Sequence, residues 1–464
     1  MSCAAEAAFR SGHRPRRRVE GKGLRFTRCL NRRAAPASKR IRFFQQPARV
    51  FLPCPRSQLT GSDETLEVEI ERLLPGGVGL AHAEGLTLFV SLVAPGDVLR
   101  VKIDRVQGKI AFASPVEILK PSPVRVEPPC PYFGRCGGCD FQQLTYQAQL
   151  DAKVAIIRDC LHRIAKIEAP LETPFDIQIY PSPKPWQYRA RATWQFDRST
   201  GRLGYFVRGS NDVCDVEYCA VLVPELQQTL EQLRNETPAT QLPKHIDAVV
   251  GEESVSVAVD DANITGAGAP VVSRRIGNET YRFSAAGFFQ INHDLLEPLI
   301  AAAIGDAKGK TAVDLYCGVG LFTLPLARRF ARVIGIEANA RATQFARRNL
   351  KSAERDDLGD VEIITARVGD WLPEHAPEVG PVDFLLLDPP RTGCENRDIA
   401  GILALRPAQI SYVSCDPATL ARDLKKLIGD GEGGYSLDSI AAFDMFPQTH
   451  HVETVARLSL SSNR

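Results

Sequence analysis

Two stretches near the C-terminus hold the residues best suited to chemistry. Ser414-Cys415-Asp416-Pro417-Ala418-Thr419 sets a cysteine beside a proline turn, and His450-His451-Val452-Glu453-Thr454 follows with a carboxylate at a strand edge. A thiolate adds to an electron-poor ring carbon, and a carboxylate then removes a proton from the neighbouring carbon so that the sulfur can leave. C5 of a pyrimidine is too weak a nucleophile to accept a methyl group unaided, so the thiolate addition must come before methyl transfer and the proton removal after it.

A methyl donor would need its own cradle. Val313-Asp314-Leu315-Tyr316-Cys317-Gly318-Val319-Gly320-Leu321-Phe322-Thr323 reads as a buried strand, a glycine turn and a helix. Glu337 ends the next strand, 23 positions after Asp314, where a carboxylate accepts hydrogen bonds from ribose hydroxyls. Thr323 stands where a dinucleotide site would carry its third glycine, which favours S-adenosylmethionine over NAD. Asp388-Pro389-Pro390-Arg391 ends a further buried strand, at the strand end where such sheets bind ligands. An N-methylating enzyme would more typically carry an aromatic residue in place of Arg391. Gly369-Asp370 offers another acid, near the adenine or in a solvated loop, and Cys317 reads as a small packing residue.

A separate cluster, Cys130-x5-Cys136-x2-Cys139, has Gly137 and Gly138 between its last two members. The glycines let several thiolates face one centre, with Cys219 chosen over Cys214 as the fourth ligand. On residue types alone, an iron–sulfur centre and a tetrahedral zinc fit equally.

These residues need several domains to position them. The 464 residues, 44% hydrophobic, suffice for two or three cores. Residues 1–60 hold 15 Lys or Arg against Glu6 and Glu20, leaving 42 bases and 53 acids in the remainder, a net charge of about −11. Residues 1–60 are expected to form a disordered basic arm, and any nucleic-acid binding by the body must use local patches. Strand alternation in Leu66–Ile70, Leu86–Val90 and Val98–Ile103 predicts a five-strand barrel over 61–121, of a type that binds single-stranded nucleic acid. A Pro-rich linker from Lys120 to Pro131, a helix over Thr145–Ala165, and strands and turns to Phe283 make a central domain over 122–285. Trp186-Gln187-Tyr188-Arg189-Ala190-Arg191 interleaves aromatics with arginines, suiting RNA contact or a half-buried strand. Alternating apolar helices and strands over 286–464 predict a doubly wound α/β domain. No apolar run reaches membrane-spanning length and the start lacks a secretory core, so a cytoplasmic monomer is expected.

Taken together, these motifs resemble the RNA uracil-C5 methyltransferases, in particular the branch with an N-terminal TRAM domain and an iron–sulfur cluster that modifies 23S ribosomal RNA. The resemblance spans about Leu66 to Glu453. It implies a multidomain α/β protein: an OB-like TRAM β-barrel, a central α+β iron–sulfur domain and a Rossmann-like S-adenosylmethionine methyltransferase domain. Cys415 is then the nucleophile and Glu453 the base, with a donor site of Gln290, Tyr316, Glu337 and Asp388. Cys130, Cys136, Cys139 and Cys219 hold a [4Fe-4S] cluster, and RNA is the partner. Asp416 departs from the family's usual asparagine and puts a charge beside the nucleophile. Two rival readings are a catalytically dead RNA-binding module and an RNA cytosine-C5 methyltransferase.

Overall fold

The computed structural model describes residues 65–167, 176–259, 262–263, 270–353, 357–429 and 434–461. The basic arm expected over 1–60 lies outside these residues.

The first strands are β1 (Thr65–Glu69), β2 (Arg72–Leu73), β3 (Gly79–Ala83), β4 (Leu86–Val90), β5 (Val98–Gln107) and β6 (Ile110–Lys120), in sheet order β1-β5-β6-β4-β3-β2. The two ends of that order are one bent strand. Ile70 still exchanges backbone bonds with Gly96 and Asp97, whereas Glu71 N donates to Leu80 O. Five strands therefore close on themselves, as the alternation predicts, and Leu66, Val68, Leu88, Val90, Leu99 and Val101 fill the interior. Asp97, fully buried, locks the barrel to the following segment by accepting from Ala94 N, Ser122 N and the Arg125 guanidinium.

Helix α1 (Tyr146–Cys160) is capped by Thr145, whose side chain accepts from Ala148 N, and runs on into a π-helical turn over Leu161–Ala165. Strand β7 (Gln178–Tyr180) follows. Strands β8 (Arg191–Asp197), β9 (Arg202–Phe206) and β10 (Val213–Asp215), helix α2 (Pro224–Asn235), and strands β11 (His245–Val250), β12 (Val255–Val259) and β13 (Ala262–Asn263) build an antiparallel sheet of order β10-β9-β8-β11-β12-β13. Helix α2 interrupts a region expected to hold only strands and turns. Its marks are in the sequence: Pro224 opens the helix, and Leu226, Leu230 and Leu233 recur at helical spacing on one buried face. Strands β14 (Val272–Ile276) and β15 (Glu279–Phe283) form a hairpin.

The remaining elements are α3 (Leu296–Ile304), β16 (Gly309–Leu315), α4 (Thr323–Ala327), β17 (Phe330–Glu337), α5 (Ala340–Ser352), β18 (Asp360–Thr365), α6 (Val368–Val379), β19 (Phe384–Leu387), α7 (Asn396–Leu405), β20 (Gln409–Ser414), α8 (Pro417–Ile428), β21 (Tyr435–Phe443) and β22 (Glu453–Leu460). Their sheet runs β18-β17-β16-β19-β20-β22-β21-β7, parallel from β18 to β20, with β22 antiparallel to both neighbours. Strand β7 pairs with Ala441–Phe443, so a segment preceding residue 286 completes this sheet. Alternate residues of β16 point into two different cores, Ala312 into one and Val313 and Leu315 into the other. Burial on both faces explains why the strands read as continuous apolar runs.

Candidate active site

The carboxyl ends of the parallel strands gather most of the residues singled out by the sequence. After β16 the chain turns through Tyr316, Gly318 and Gly320, all at positive φ (62°, 56° and 89°). A Cβ built at Gly318 would meet nothing within 4 Å, so the turn leaves open space over its backbone. Tyr316 takes up a conformation unusual for a bulky residue, and its hydroxyl donates to Asp398 Oδ2 at 2.9 Å. Glu337, at the end of β17, accepts from Gly318 N at 3.2 Å and Asn339 N at 2.6 Å, which ties the second strand's acid to the glycine turn. Asp388, at the end of β19, is pushed up to about 7 by burial and then by the nearby charge of Glu337. Gln290 is buried but lies off the sheet, in the segment between β15 and α3.

Two helpers escaped the sequence reading. Asp314 is fully buried in β16 and accepts from the Thr323 hydroxyl, so the residue standing in for a third glycine braces the strand beneath the turn. Burial also raises its carboxyl to about 7. Asp398, the partner of Tyr316, also accepts from Glu395 N as part of the capping box that opens α7. Asp314 was in plain view within a strand expected to be buried, but its bond to Thr323 was not. Cys317 packs against Ala346 and Ile363, in line with a packing role. Asp370 is exposed on α6 and pairs with Arg397 at 2.6 Å, which makes it the solvated acid of the two alternatives.

Strand order brings Cys415 and Glu453 together. In the β20–β22 register Ser414 lies opposite Thr454, so Cys415, just beyond the end of β20, and Glu453, the first residue of β22, fall on the same sheet edge. Burial, then the charges of Glu453, Asp388 and Asp416, push the Cys415 thiol far up, and only Arg391 pulls it down. Glu453 is itself driven well above the usual carboxylate range by burial and by Asp388, again opposed by Arg391. One of its oxygens, Oε1, is buried without a protein partner. The site therefore holds a thiol, two crowded carboxyls and one arginine within electrostatic reach of one another. Asp416 is already engaged: its side chain caps α8 by accepting from Ala418 N at 3.0 Å and Thr419 N at 2.9 Å. Asparagine caps a helix equally well through its side-chain oxygen, which accounts for the exchange at this position.

Beyond this site, Cys130, Cys136, Cys139 and Cys219 line one cavity together with Arg189. The loop bearing the first three docks on the end of β9, through Gly137 N to Phe206 O and the Arg208 guanidinium to Cys139 O. Burial, ahead of the neighbouring thiols, pushes Cys136 up to about 12. Cys214 is buried in β10, pairs with Tyr205, and is not among the lining residues. Among the described residues no group of three or more Cys, His, Asp or Glu side chains is arranged to hold a metal ion, and the four thiols line a cavity.

The segment Trp186–Arg191 is part-buried: Tyr188, Ala190 and Arg191 are internal, Gln187 is exposed, and Trp186 and Arg189 lie between. The Tyr188 hydroxyl donates to Pro447 O, and Arg191 donates to Ala285 O and Gly287 O, so these two residues serve packing. His450 is bound to Asp140 through its backbone N and its Nδ1. No described helix is long and apolar enough to cross a membrane.

A family model described as tRNA (Uracil-5-)-methyltransferase matches residues 211–369 and 380–460, and a TRAM domain model matches 63–116. The chain is 32% identical to an RNA methyltransferase of Thermosynechococcus vestitus, over 86% of this chain and 98% of that protein. It is also 32% identical to the 23S rRNA (uracil(1939)-C(5))-methyltransferase RlmD of Pectobacterium atrosepticum, over 85% and 93% of the two chains. Among solved structures, the tRNA (uracil-54, C5)-methyltransferase of Pyrococcus abyssi in complex with S-adenosyl-L-homocysteine superposes with a TM-score of 0.64, at 26% identity over 84% of this chain and 99% of that one. With a glycine turn open over its backbone, two acids at the strand ends beside it and a cysteine on the same edge, the chain belongs to the tRNA (uracil-5-)-methyltransferase family and is an S-adenosylmethionine-dependent RNA uracil-C5 methyltransferase with a TRAM domain.

Proposed function

We propose that the protein methylates C5 of a uridine in 23S ribosomal RNA through a transient bond between Cys415 and C6 of the base. The observation that carries this reading is the placement of Cys415 and Glu453 on one sheet edge beside Asp388. The target uridine must leave its stack before C6 can be reached. Cys415 adds to C6 and raises electron density at C5. S-adenosylmethionine, when bound, would supply an electrophilic methyl group on a positive sulfonium, which C5 would take as the S–CH3 bond breaks and S-adenosylhomocysteine is left. Tyr316, Glu337, Asp388 and Gln290 would hold it, Glu337 toward the ribose and Asp388 near the positive charge. Glu453 then takes the C5 proton, and Cys415 departs with its bonding electron pair, freeing 5-methyluridine. Glu453→Gln should slow turnover by about 10²–10⁴-fold and trap RNA as a denaturation-resistant adduct. A gel with no adduct counts against the base assignment.

Cys130, Cys136, Cys139 and Cys219 would hold a [4Fe-4S] cluster. The four thiols line one cavity, and the choice of a cluster over a single zinc follows from the family resemblance. Arg189 at the rim would balance negative charge there. The methylation is redox-neutral, so no step is assigned to the cluster. The domains are read as 61–121, 122–285 and 286–464, in a cytoplasmic monomer.

A second substrate reading is transfer RNA, favoured by the Pyrococcus abyssi structure. Incubation with labelled donor and either RNA, followed by digestion to nucleosides, separates the cases. Label in 5-methyluridine from 23S RNA fits the proposal; label from transfer RNA alone moves the substrate, and label in 5-methylcytidine overturns the uracil reading.

A further inference from the structure

The segment Asp444–Val452, which delivers Glu453 to the sheet edge, has local turn bonds among Phe446, Thr449 and His451 and is tied to the rest of the protein by groups distant in sequence. Asp444 pairs with the buried Lys153 and accepts from the Tyr146 hydroxyl. Gln448, at a φ of 68°, exchanges side-chain and backbone bonds with Gln149. Its carbonyl accepts from Asp140 N at 3.1 Å and Phe141 N at 3.0 Å. Asp140, next to Cys139, then closes a second grip: Oδ1 accepts from His450 N at 2.8 Å and Oδ2 lies 2.5 Å from His450 Nδ1. The barrel meets the same point, since a Cβ at Gly77 would come within 3.1 Å of His450 Cβ, 3.2 Å of Phe141 and 3.4 Å of Asp140.

We infer that Asp140 is a positioning residue for proton abstraction: through His450, three residues before Glu453, it ties the four-cysteine loop to the strand carrying the base. This rests on the assignment of Glu453 as base. The physical ground is that Glu453 is the first residue of β22: its register with Phe443 of β21 holds it from one side, and the approach through His450 fixes the chain where it enters the strand. A carboxylate gripping both the backbone and the ring of His450 fixes that approach at two points, and the chain of bonds runs to Cys139 within one residue. Cys415 gains no comparable dependence, because it is held by β20 and the Asp416 cap. The first step, sulfur addition, should therefore survive loss of this grip while the last step fails.

Asp140→Ala, Asp140→Asn and His450→Ala test this in the full-length protein purified anaerobically. Asp140→Ala should lower kcat by about 10- to 100-fold, the scale of a roughly 1 Å misplacement. It should accumulate covalent RNA adduct on denaturing gels, with iron per chain and S-adenosylhomocysteine affinity equal to wild type. Asp140→Asn, whose amide still accepts from His450 N and can donate to the ring, should turn over normally. If Asp140→Ala does not fold, His450→Ala, which keeps the backbone bond and loses the ring contact, should show the adduct at a lower level. Wild-type turnover by Asp140→Ala, loss of turnover without adduct, or equal defects in Asp140→Asn and Asp140→Ala would overturn the inference. Glu453→Gln serves as the reference. If it accumulates adduct and the Asp140 variants do not, the positioning role fails alone; if it accumulates none, the base assignment fails first.

Discussion

Two sulfur-bearing regions of this molecule share one physical trait and differ in what surrounds it. In both the cysteine cavity and the catalytic edge, burial is the largest force raising the thiols. Around the cavity the further neighbours are other thiols and Arg189; around Cys415 they are Glu453, Asp388, Asp416 and Arg391. Thiols facing one another ionise together only when a metal group replaces their protons. Burial and neighbouring carboxylates both disfavour the thiolate of Cys415. Under the proposed function the same residue type would serve as ligand in one place and nucleophile in the other, the neighbours making the difference.

Replacing the nucleophile should break the comparison most completely. Cys415→Ala should cost turnover on the order of 10⁴-fold or more while leaving S-adenosylhomocysteine binding and iron content unchanged. Calorimetric titration and an iron assay check both; a variant with residual full activity removes the assigned nucleophile. The next effect separates the two candidate ligands of the cavity. Cys219→Ser should lose bound iron and its broad visible absorbance, whereas Cys214→Ser should keep both, since only Cys219 lines the cavity. Equal retention by both variants would remove Cys219 from the ligand set. The smallest effect is a shift in acid strength at the edge. In the free protein, alkylation of Cys415 should become fast only as pH rises past the ordinary thiol value of 9.0. Glu453→Gln removes a raising charge and should move that profile to lower pH. Arg391→Ala removes the lowering charge and should move it higher. Shifts of the same sign in both variants would show that charge does not govern this thiol.

Much of this architecture was legible in local pattern. Alternation marked the barrel strands, and continuous apolar runs such as Phe384–Leu387 marked a sheet covered on both faces. Glycine turns and strand-end acids marked the donor cradle. Helix α2 was legible as well, in Leu226, Leu230 and Leu233 after Pro224, yet lay within a stretch read as strands. The segment Trp186–Arg191 was legible only as two alternatives, because aromatic and basic residues serve packing or binding alike; the carbonyls of Pro447, Ala285 and Gly287 show that Tyr188 and Arg191 pack.

The sequence by itself determined which groups exist to do the work: the thiol of Cys415, the acids at the ends of β17 and β19, the bend at Gly318 and the four cysteines apart from them. Such features depend on residue type and near spacing, which are local. Only the tertiary structure decided that β22 enters antiparallel beside β20, setting Glu453 next to Cys415, and that Asp140 reaches across 310 positions to hold His450. Contacts between distant segments depend on how sheets and cores close around one another, and no local pattern in the chain encodes them.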